Sequence, residues 1–133
     1  MKQQIKPHED KKKLLVELEI EGLPPTVNHL YRTSRSGFRY KTERGRKYQE
    51  QISSQLAEKW QYRPPYPGEI ELRIKFIVKT RRKWDIDNRV KALQDCLSMA
   101  SLIEDDSQVQ ILHVERCKGE IDMTRLEIWL LEQ

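Results

Sequence analysis

Two aspartates one residue apart mark the stretch of this sequence whose residue types are best suited to catalysis. Asp85 and Asp87 follow a basic run at 81–83 and stand at the start of a predicted helix. Lys91 comes four residues after Asp87, so both side chains lie on one face of that helix. A second acidic cluster, residues 104–106, follows the helix. Carboxylates gathered among so many cations indicate a bound divalent ion or a phosphorylated ligand.

These carboxylates predict a metal site. Mg²⁺ binds a few carboxylates together with water and phosphate oxygens. The ion polarises a scissile phosphate and lowers the pKa of a bound water, while Lys91 reaches an oxygen that gains charge in the transition state. The two acidic clusters meet if the strand before the first and the strand after the second are neighbours. The predicted ligands are Asp85, Asp87 and Asp106, with Asp95 and Asp105 in reserve.

Paired aspartates also occur in sites other than metal centres that act on phosphates. Asp87 alone also fits an ordinary helix cap that complements the helix dipole. An EF-hand is excluded because Arg89 and Val90 stand where that loop needs an oxygen ligand and then glycine. A sugar-nucleotide transferase needs more room than 133 residues provide. The combination of the aspartate pair, the lysine and the second cluster favours the metal site.

The positive charge is concentrated in two stretches, although the whole chain carries a formal charge of only +4. Residues 31–47 and 79–91 hold most of these cations, which predicts a polyanionic partner such as DNA. Two solvated surfaces would produce the same pattern. Trp84 stands between the second run and Asp85, where its ring could stack on a base. The predicted DNA contacts are Arg32, Arg35, Arg39, Arg81, Arg82, Lys83 and Trp84.

Cysteine usage and hydropathy exclude several classes of protein. Cys96 and Cys117 stand far apart, so neither a zinc site nor a disulfide framework is expected. The sequence contains no apolar run long enough to cross a bilayer and no signal-peptide core near Met1. We therefore expect a cytoplasmic protein that does not bind membranes.

Hydrophobic periodicity predicts a small α/β (α+β) domain with one mixed sheet and two main helices, in the order β-α-β-α-β-β. Residues 1–12 are expected to form a flexible tail and residues 13–133 a single domain. Residues 26–41 are interpreted as a loop with a short extended piece at 38–40. The last two strands, separated by a short turn, are expected to form an antiparallel hairpin. The strands are predicted at 15–21, 69–79, 109–117 and 124–130, and the helices at 43–60 and 87–100.

Three segments resemble the RusA family of Holliday junction resolvases, which are small endodeoxyribonucleases. The likeness extends over residues 16–130, and the tail before Lys13 has no counterpart. The segments are Leu23–Tyr31 (LPPTVNHLY), Asp85–Asn88 (DIDN) with Lys91–Leu93 and Asp95, and Glu104–Val109 (EDDSQV).

The resemblance implies a set of roles for these residues. Asp85, Asp87 and Asp106 match the essential aspartates of the family, and Lys91 matches its catalytic lysine. Asn28 matches a recurrent asparagine that is either structural or DNA-facing. The implied cofactor is Mg²⁺ or Mn²⁺, and the implied assembly is a homodimer. A two-fold dimer also suits a four-way junction, because its two opposed cuts need two sites.

The leading hypothesis is therefore a metal-dependent endonuclease that resolves Holliday junctions by paired symmetric nicks. Two alternatives remain open from the residues alone. One is a DNA-binding protein without nuclease activity, and the other is a nuclease that acts mainly on flaps and replication forks.

Overall fold

The structure is a computed structural model that describes residues 12–80 and 83–131. Two of the predicted DNA contacts, Arg81 and Arg82, lie outside the described residues. So does the predicted N-terminal tail, except for Lys12, with which the first strand begins. No described helix is long and apolar enough to span a membrane.

Four strands form the main sheet: β1 (Lys12–Glu21), β4 (Ile70–Val78), β5 (Val109–Lys118) and β6 (Met123–Leu131). Their order is β1-β6-β4-β5, with β4 and β5 parallel and the other pairs antiparallel. Alternation of apolar and polar residues explains the core, because one side of each strand then faces the helices. Leu72, Phe76 and Leu126 are fully buried on that side. The predicted mixed sheet is confirmed.

The predicted hairpin of the last two strands is wrong. Within the described residues, β5 pairs with β4 at the outer edge, and β6 lies between β1 and β4. The connection crosses the end of β4, where the Gly119 amide donates to the Val78 carbonyl over 3.1 Å and the Lys79 amide donates to Asp122 Oδ1 over 2.9 Å. The physical reason is burial, since the apolar face of β6 needs cover on both flanks and the polar strand β5 does not.

Two main helices pack on one face of the sheet, as predicted. Helix α2 spans Glu43–Lys59, and the side chain of Thr42 caps it by accepting from the Gly45 amide over 2.9 Å. Helix α3 spans Val90–Met99, and its predicted first turn is a separate 3₁₀ turn at Ile86–Arg89. A buried bond from Gln49 Nε2 to the Ala92 carbonyl, 3.0 Å long, joins the two helices.

The segment predicted as a loop contains more structure than expected. A single helical turn, α1 (Val27–Leu30), leads into a two-stranded hairpin of β2 (Tyr31–Thr33) and β3 (Arg39–Lys41). We call residues 31–41 the basic hairpin. These elements are too short to give a clear hydrophobic period, so the pattern alone could not predict them. Gly45 lets Leu30 approach α2, because a Cβ at Gly45 would lie 2.8 Å from Leu30 Cδ1.

Candidate active site

A cleft of about 590 Å³ opens between α3 and the edge strand β5. Its apolar floor includes Leu112 and Val114, which α3 leaves partly uncovered. Helix α3 runs back along the strand from the 3₁₀ turn, so its charged face follows the length of the groove. The charged residues that line the cleft are Asp87, Lys91, Asp95 and Asp106. Lys91 and Asp95 have the predicted one-turn spacing on α3, whereas Asp87 lines the cleft from the 3₁₀ turn before that helix.

Lys91 and Asp95 form an ion pair within the cleft. Lys91 Nζ lies 3.2 Å from Asp95 Oδ1, and the two side chains are 50% and 16% exposed. Their hydrogen bond is the main cause that raises the pKa of Lys91, with smaller contributions from the charge of Asp95, from Tyr31 and from Asp106. Lys91 is therefore charged at neutral pH, and its ammonium group is held next to Asp95 within the groove.

Asp106 reaches the cleft from the opposite side, at a 3₁₀ turn over Asp106–Gln108 just before β5. Partial burial raises the pKa of its carboxyl group above the usual range, the negative charge of Asp95 adds to the effect, and Lys91 opposes it. The three side chains therefore interact electrostatically across the groove. Of the acidic cluster at 104–106, Asp106 lines the cleft beside α3.

Gln108 holds that turn in place with both ends of its amide. Its Oε1 accepts from the amides of Glu104 and Asp105 over 2.8 and 3.0 Å. Its Nε2 donates to the carbonyls of Tyr66 and Gly68 over 2.7 and 2.8 Å. The Asp105 side chain completes a capping box by accepting from the Ser107 amide. Asp105 is thus occupied as a cap, and the position of Asp106 depends on this network.

The turn that carries Asp85 and Asp87 is fixed by an aromatic cluster. The guanidinium groups of Arg89 and Arg116 both pack on the ring of Trp84, 4.8 and 4.9 Å from its centroid. Its edge packs on Phe76 with ring centroids 5.6 Å apart. Arg116 Nη1 also donates to the Trp84 carbonyl over 2.9 Å. These contacts give the half-buried ring a packing role, and its predicted stacking on a base stays a prediction.

Arg89 ties the same turn to a distant part of the chain. Its Nη1 donates to the carbonyl of Pro24, in the segment between β1 and α1. Burial lowers the pKa of Arg89, and the nearby charge of Arg44 adds to the effect. A guanidinium stays charged even so, and its planar group serves the carbonyl and the indole together.

The cleft has the ligand chemistry that a divalent cation needs, but its carboxylates do not converge on one point. Asp87, Asp95 and Asp106 offer the hard oxygen donors that Mg²⁺ and Mn²⁺ prefer. Burial raises the pKa of Asp106 and the charge of Asp95 adds to the rise, so a bound cation would stabilise the ionised carboxylate there. Among residues 12–80 and 83–131, no three acidic, histidine or cysteine groups surround one point. The exposed Asp85 lies outside the described lining of the cleft, at the N-cap of the 3₁₀ turn.

The family model for endodeoxyribonuclease RusA matches residues 21–130 of the 133-residue chain. The chain belongs to the RusA family. The match contains every element that builds the cleft, from the segment around Pro24 to β6. No curated protein matches the chain. The expected family is confirmed, and with it an endodeoxyribonuclease whose family acts on branched DNA.

In this RusA-family chain, the other predicted DNA contacts lie at the surface. Arg32, Arg35 and Arg39 are exposed on the basic hairpin, Asn28 is exposed on α1, and Lys83 is exposed just before Trp84. The hairpin begins beside the cleft, because Tyr31 interacts with Lys91 and Lys41 Nζ lies 4.0 Å from Met99 Sδ on α3. Their contacts with DNA stay predictions.

Sequence reasoning missed three residues that position the site. Arg89 and Arg116 pack on Trp84, and Gln108 fixes the turn that carries Asp106. Gln108 was visible as part of the segment Glu104–Val109, but the spacing of that segment did not reveal its four bonds. Nothing in the sequence pattern pairs Arg116 or Pro24 with the 3₁₀ turn at Ile86–Arg89 and the Trp84 before it, because those contacts span long stretches of chain.

Proposed function

We propose that the protein resolves Holliday junctions by Mg²⁺- or Mn²⁺-dependent hydrolysis of two opposed phosphodiester bonds. The observation that carries this proposal is the shared cleft of Asp87, Lys91 and Asp106 in a chain of the RusA family. Three of the four predicted catalytic residues line one groove although they come from different elements. Asp85 stands two residues from Asp87 at the mouth of the same turn.

The residues of the chain divide the chemistry between them. Lys91 places a positive charge where a phosphate oxygen gains negative charge during hydrolysis, and Asp95 keeps its ammonium within the groove. Asp85, Asp87 and Asp106 are the proposed ligands of the cation. When bound, the cation supplies polarisation of the scissile phosphate. Contacts of Trp84 and Gln108 hold the two turns that carry Asp87 and Asp106, so these carboxylates are positioned before substrate binds.

The charges around the cleft suit a DNA substrate. The basic hairpin carries Arg32, Arg35, Arg39 and Lys41 and has no acidic residue over 31–42. Cations that neutralise phosphates draw DNA toward the surface and make its binding depend on salt. The basic hairpin thus binds the DNA backbone, and the acidic cleft beside it hydrolyses the phosphodiester bond.

The proposed assembly is a homodimer. One chain provides one cleft, and a four-way junction is cut at two opposed positions. A two-fold dimer places two identical clefts in the matching symmetry. Analytical ultracentrifugation at several concentrations tests this part separately from catalysis.

A cleavage assay on defined DNA tests the proposal. Labelled four-way junction, flap, fork and linear duplex are incubated with protein and Mg²⁺, Mn²⁺, Ca²⁺ or EDTA. We expect symmetric nicks in the junction with Mg²⁺ or Mn²⁺, and none with EDTA. Preferred cutting of flaps and forks supports the second nuclease hypothesis, and salt-sensitive binding without any product supports a non-catalytic protein.

Site variants make the assay specific for the cleft. Asp87→Asn keeps the size of the side chain and removes its charge, so cutting should fall at least about a hundredfold while junction binding persists. Glu58→Gln on the exposed surface of α2 is the matched control and should cut like the wild type. Normal cutting by Asp87→Asn would show that the cleft is not the active site.

A further inference from the structure

Two large aromatic rings stand exposed at the tip of the basic hairpin. Phe38 is 74% exposed and Tyr40 is 51% exposed, in a chain whose other apolar side chains mostly pack in the core. Arg32 pairs with Tyr40 across the hairpin, so their side chains project from the same face. Phe38 precedes Tyr40 by two residues and continues that face. The opposite face carries Tyr31, whose ring packs under the guanidinium of Arg39 at 4.1 Å.

The tip is ordered by its own hydrogen bonds. The Ser34 amide donates to the Phe38 carbonyl over 2.7 Å, and the Phe38 amide donates to Ser34 Oγ over 3.0 Å. The Gly37 amide donates to the Ser34 carbonyl, and Gly37 has a φ of 86°, which a side chain would strain. Phe38 is thus attached to an ordered turn that holds its ring in solvent. Within the described residues, no contact buries this apolar surface.

The charge around these rings indicates the partner. Arg32 lies on the same face as Tyr40, Arg35 lies in the turn before Phe38, and the hairpin has no acidic residue. Aromatic rings among cations match a polyanion that also has flat apolar faces, which describes unstacked nucleotides. Linear duplex DNA keeps its bases stacked, whereas a branch point interrupts that stacking. The base of the hairpin contacts α3, the helix that lines the cleft, because Lys41 Nζ lies 4.0 Å from Met99 Sδ.

We propose that Phe38 recognises the branch point of the DNA by stacking on a base left unstacked there, with Tyr40 as a second ring on the same face. Arg32 and Arg35 bind the flanking phosphates. This inference rests on the proposed function and adds a residue that selects branched DNA over duplex. It assigns selectivity to the hairpin and catalysis to the cleft, so the two are separable by mutation.

Binding measurements without divalent ions test the inference while preventing cleavage. A four-way junction carries 2-aminopurine at the branch point, and a linear duplex of the same sequence serves as comparison. Wild-type protein should change the 2-aminopurine fluorescence. Phe38→Ala should abolish that change in fluorescence and weaken junction binding about tenfold. Its affinity for the linear duplex should stay within about twofold of the wild-type value. Phe38→Trp should retain both signals because an indole also stacks.

Tyr62→Ala is the matched control, because Tyr62 is 76% exposed but lies beyond the end of α2, outside the hairpin. It should behave like the wild type. The inference is overturned if Phe38→Ala binds the junction as the wild type does, or if it instead converts a dimer to monomer in sedimentation. If the wild type cuts junctions and Phe38→Ala keeps the same substrate preference, the inference fails alone. If the wild type neither cuts nor prefers junctions, the proposed function fails with it.

Discussion

Lys91 Nζ and Asp95 Oδ1 lie 3.2 Å apart, one turn from each other on the face of α3 that lines the acidic cleft. Asp95 is the more buried partner, with a side chain 16% exposed against 50% for Lys91. The carboxylate is therefore the fixed member, and it restricts the ammonium to the groove. Asp95 acts as a positioning residue for the proposed catalytic lysine.

Loss of that pair should slow cutting more than it weakens the fold. We predict that Asp95→Ala lowers kcat about tenfold and leaves junction affinity within about twofold, because Lys91 keeps its charge but loses its position. A partly exposed ion pair between residues one helical turn apart contributes at most about 1 kcal/mol to stability. Single-turnover cleavage and thermal unfolding measure the two effects. Glu50→Ala breaks a pair of the same spacing on α2, Arg46–Glu50 at 3.1 Å, and should leave cutting unchanged.

Arg89 anchors the 3₁₀ turn that carries Asp87, which predicts a second effect on activity. Arg89→Met removes the bond to the Pro24 carbonyl and the contact with Trp84. We expect cutting to fall at least about tenfold and unfolding to become easier by about 1–3 kcal/mol, because a buried carbonyl loses its donor. Arg63→Met is a close control, since Arg63 stacks on Trp60 at 4.0 Å and donates to its carbonyl far from the cleft. Equal losses of activity in both variants would contradict the assignment.

The hydrogen bonds of Gln108 predict a large loss of stability when its side-chain amide is replaced by a carboxylate. Gln108→Glu replaces the Nε2 donor with a carboxylate oxygen that faces the Tyr66 and Gly68 carbonyls. Two acceptors then lose their donor and a negative charge lies against them, so we expect a loss of about 2–4 kcal/mol in unfolding free energy. Cutting should fall as well, because Asp106 follows the turn. Gln51→Glu on the exposed side of α2 should be neutral in both assays.

The two cysteines should differ sharply in reactivity. Burial raises the pKa of Cys96 from 9.0 to about 11, and its thiol donates to the Ala92 carbonyl over 3.1 Å, whereas Cys117 is exposed. At pH 8 a thiol reagent should therefore modify one thiol of the native protein at once and the second only after unfolding. Rapid reaction of both thiols in the native state would contradict the packing of α3 on α2.

The same shift predicts how stability depends on pH at the alkaline end. The folded protein keeps the Cys96 proton between pH 9 and about 11 while the unfolded chain loses it, so the free energy of unfolding falls as pH rises through that window. The full shift corresponds to roughly 3 kcal/mol. Burial also raises the pKa of Tyr48, which adds to the decline. Denaturant unfolding at pH 8 to 11 measures it, and Cys96→Ala should lose part of the slope.

Local patterns in the sequence determined most of the elements and half of the site. The alternation in β4 and the four-residue spacing of α2 depend only on near neighbours, so both could be read directly. The same holds for Lys91 and Asp95, whose contact follows from one turn of helix. Thr42 could be identified as a cap because its bond to Gly45 is local.

Tertiary structure alone decided which distant segments meet. The central place of β6, which made the predicted hairpin wrong, follows from competition among all strands for burial. The contact of Arg89 with Pro24 and the four bonds of Gln108 join segments that no short-range pattern relates. By itself the sequence determined that Lys91 and Asp95 share one face of a helix and that Asp87 stands just before it. Only the packing of α3 against β5 brought Asp106 to those side chains, because that contact depends on how the whole chain buries its apolar surface.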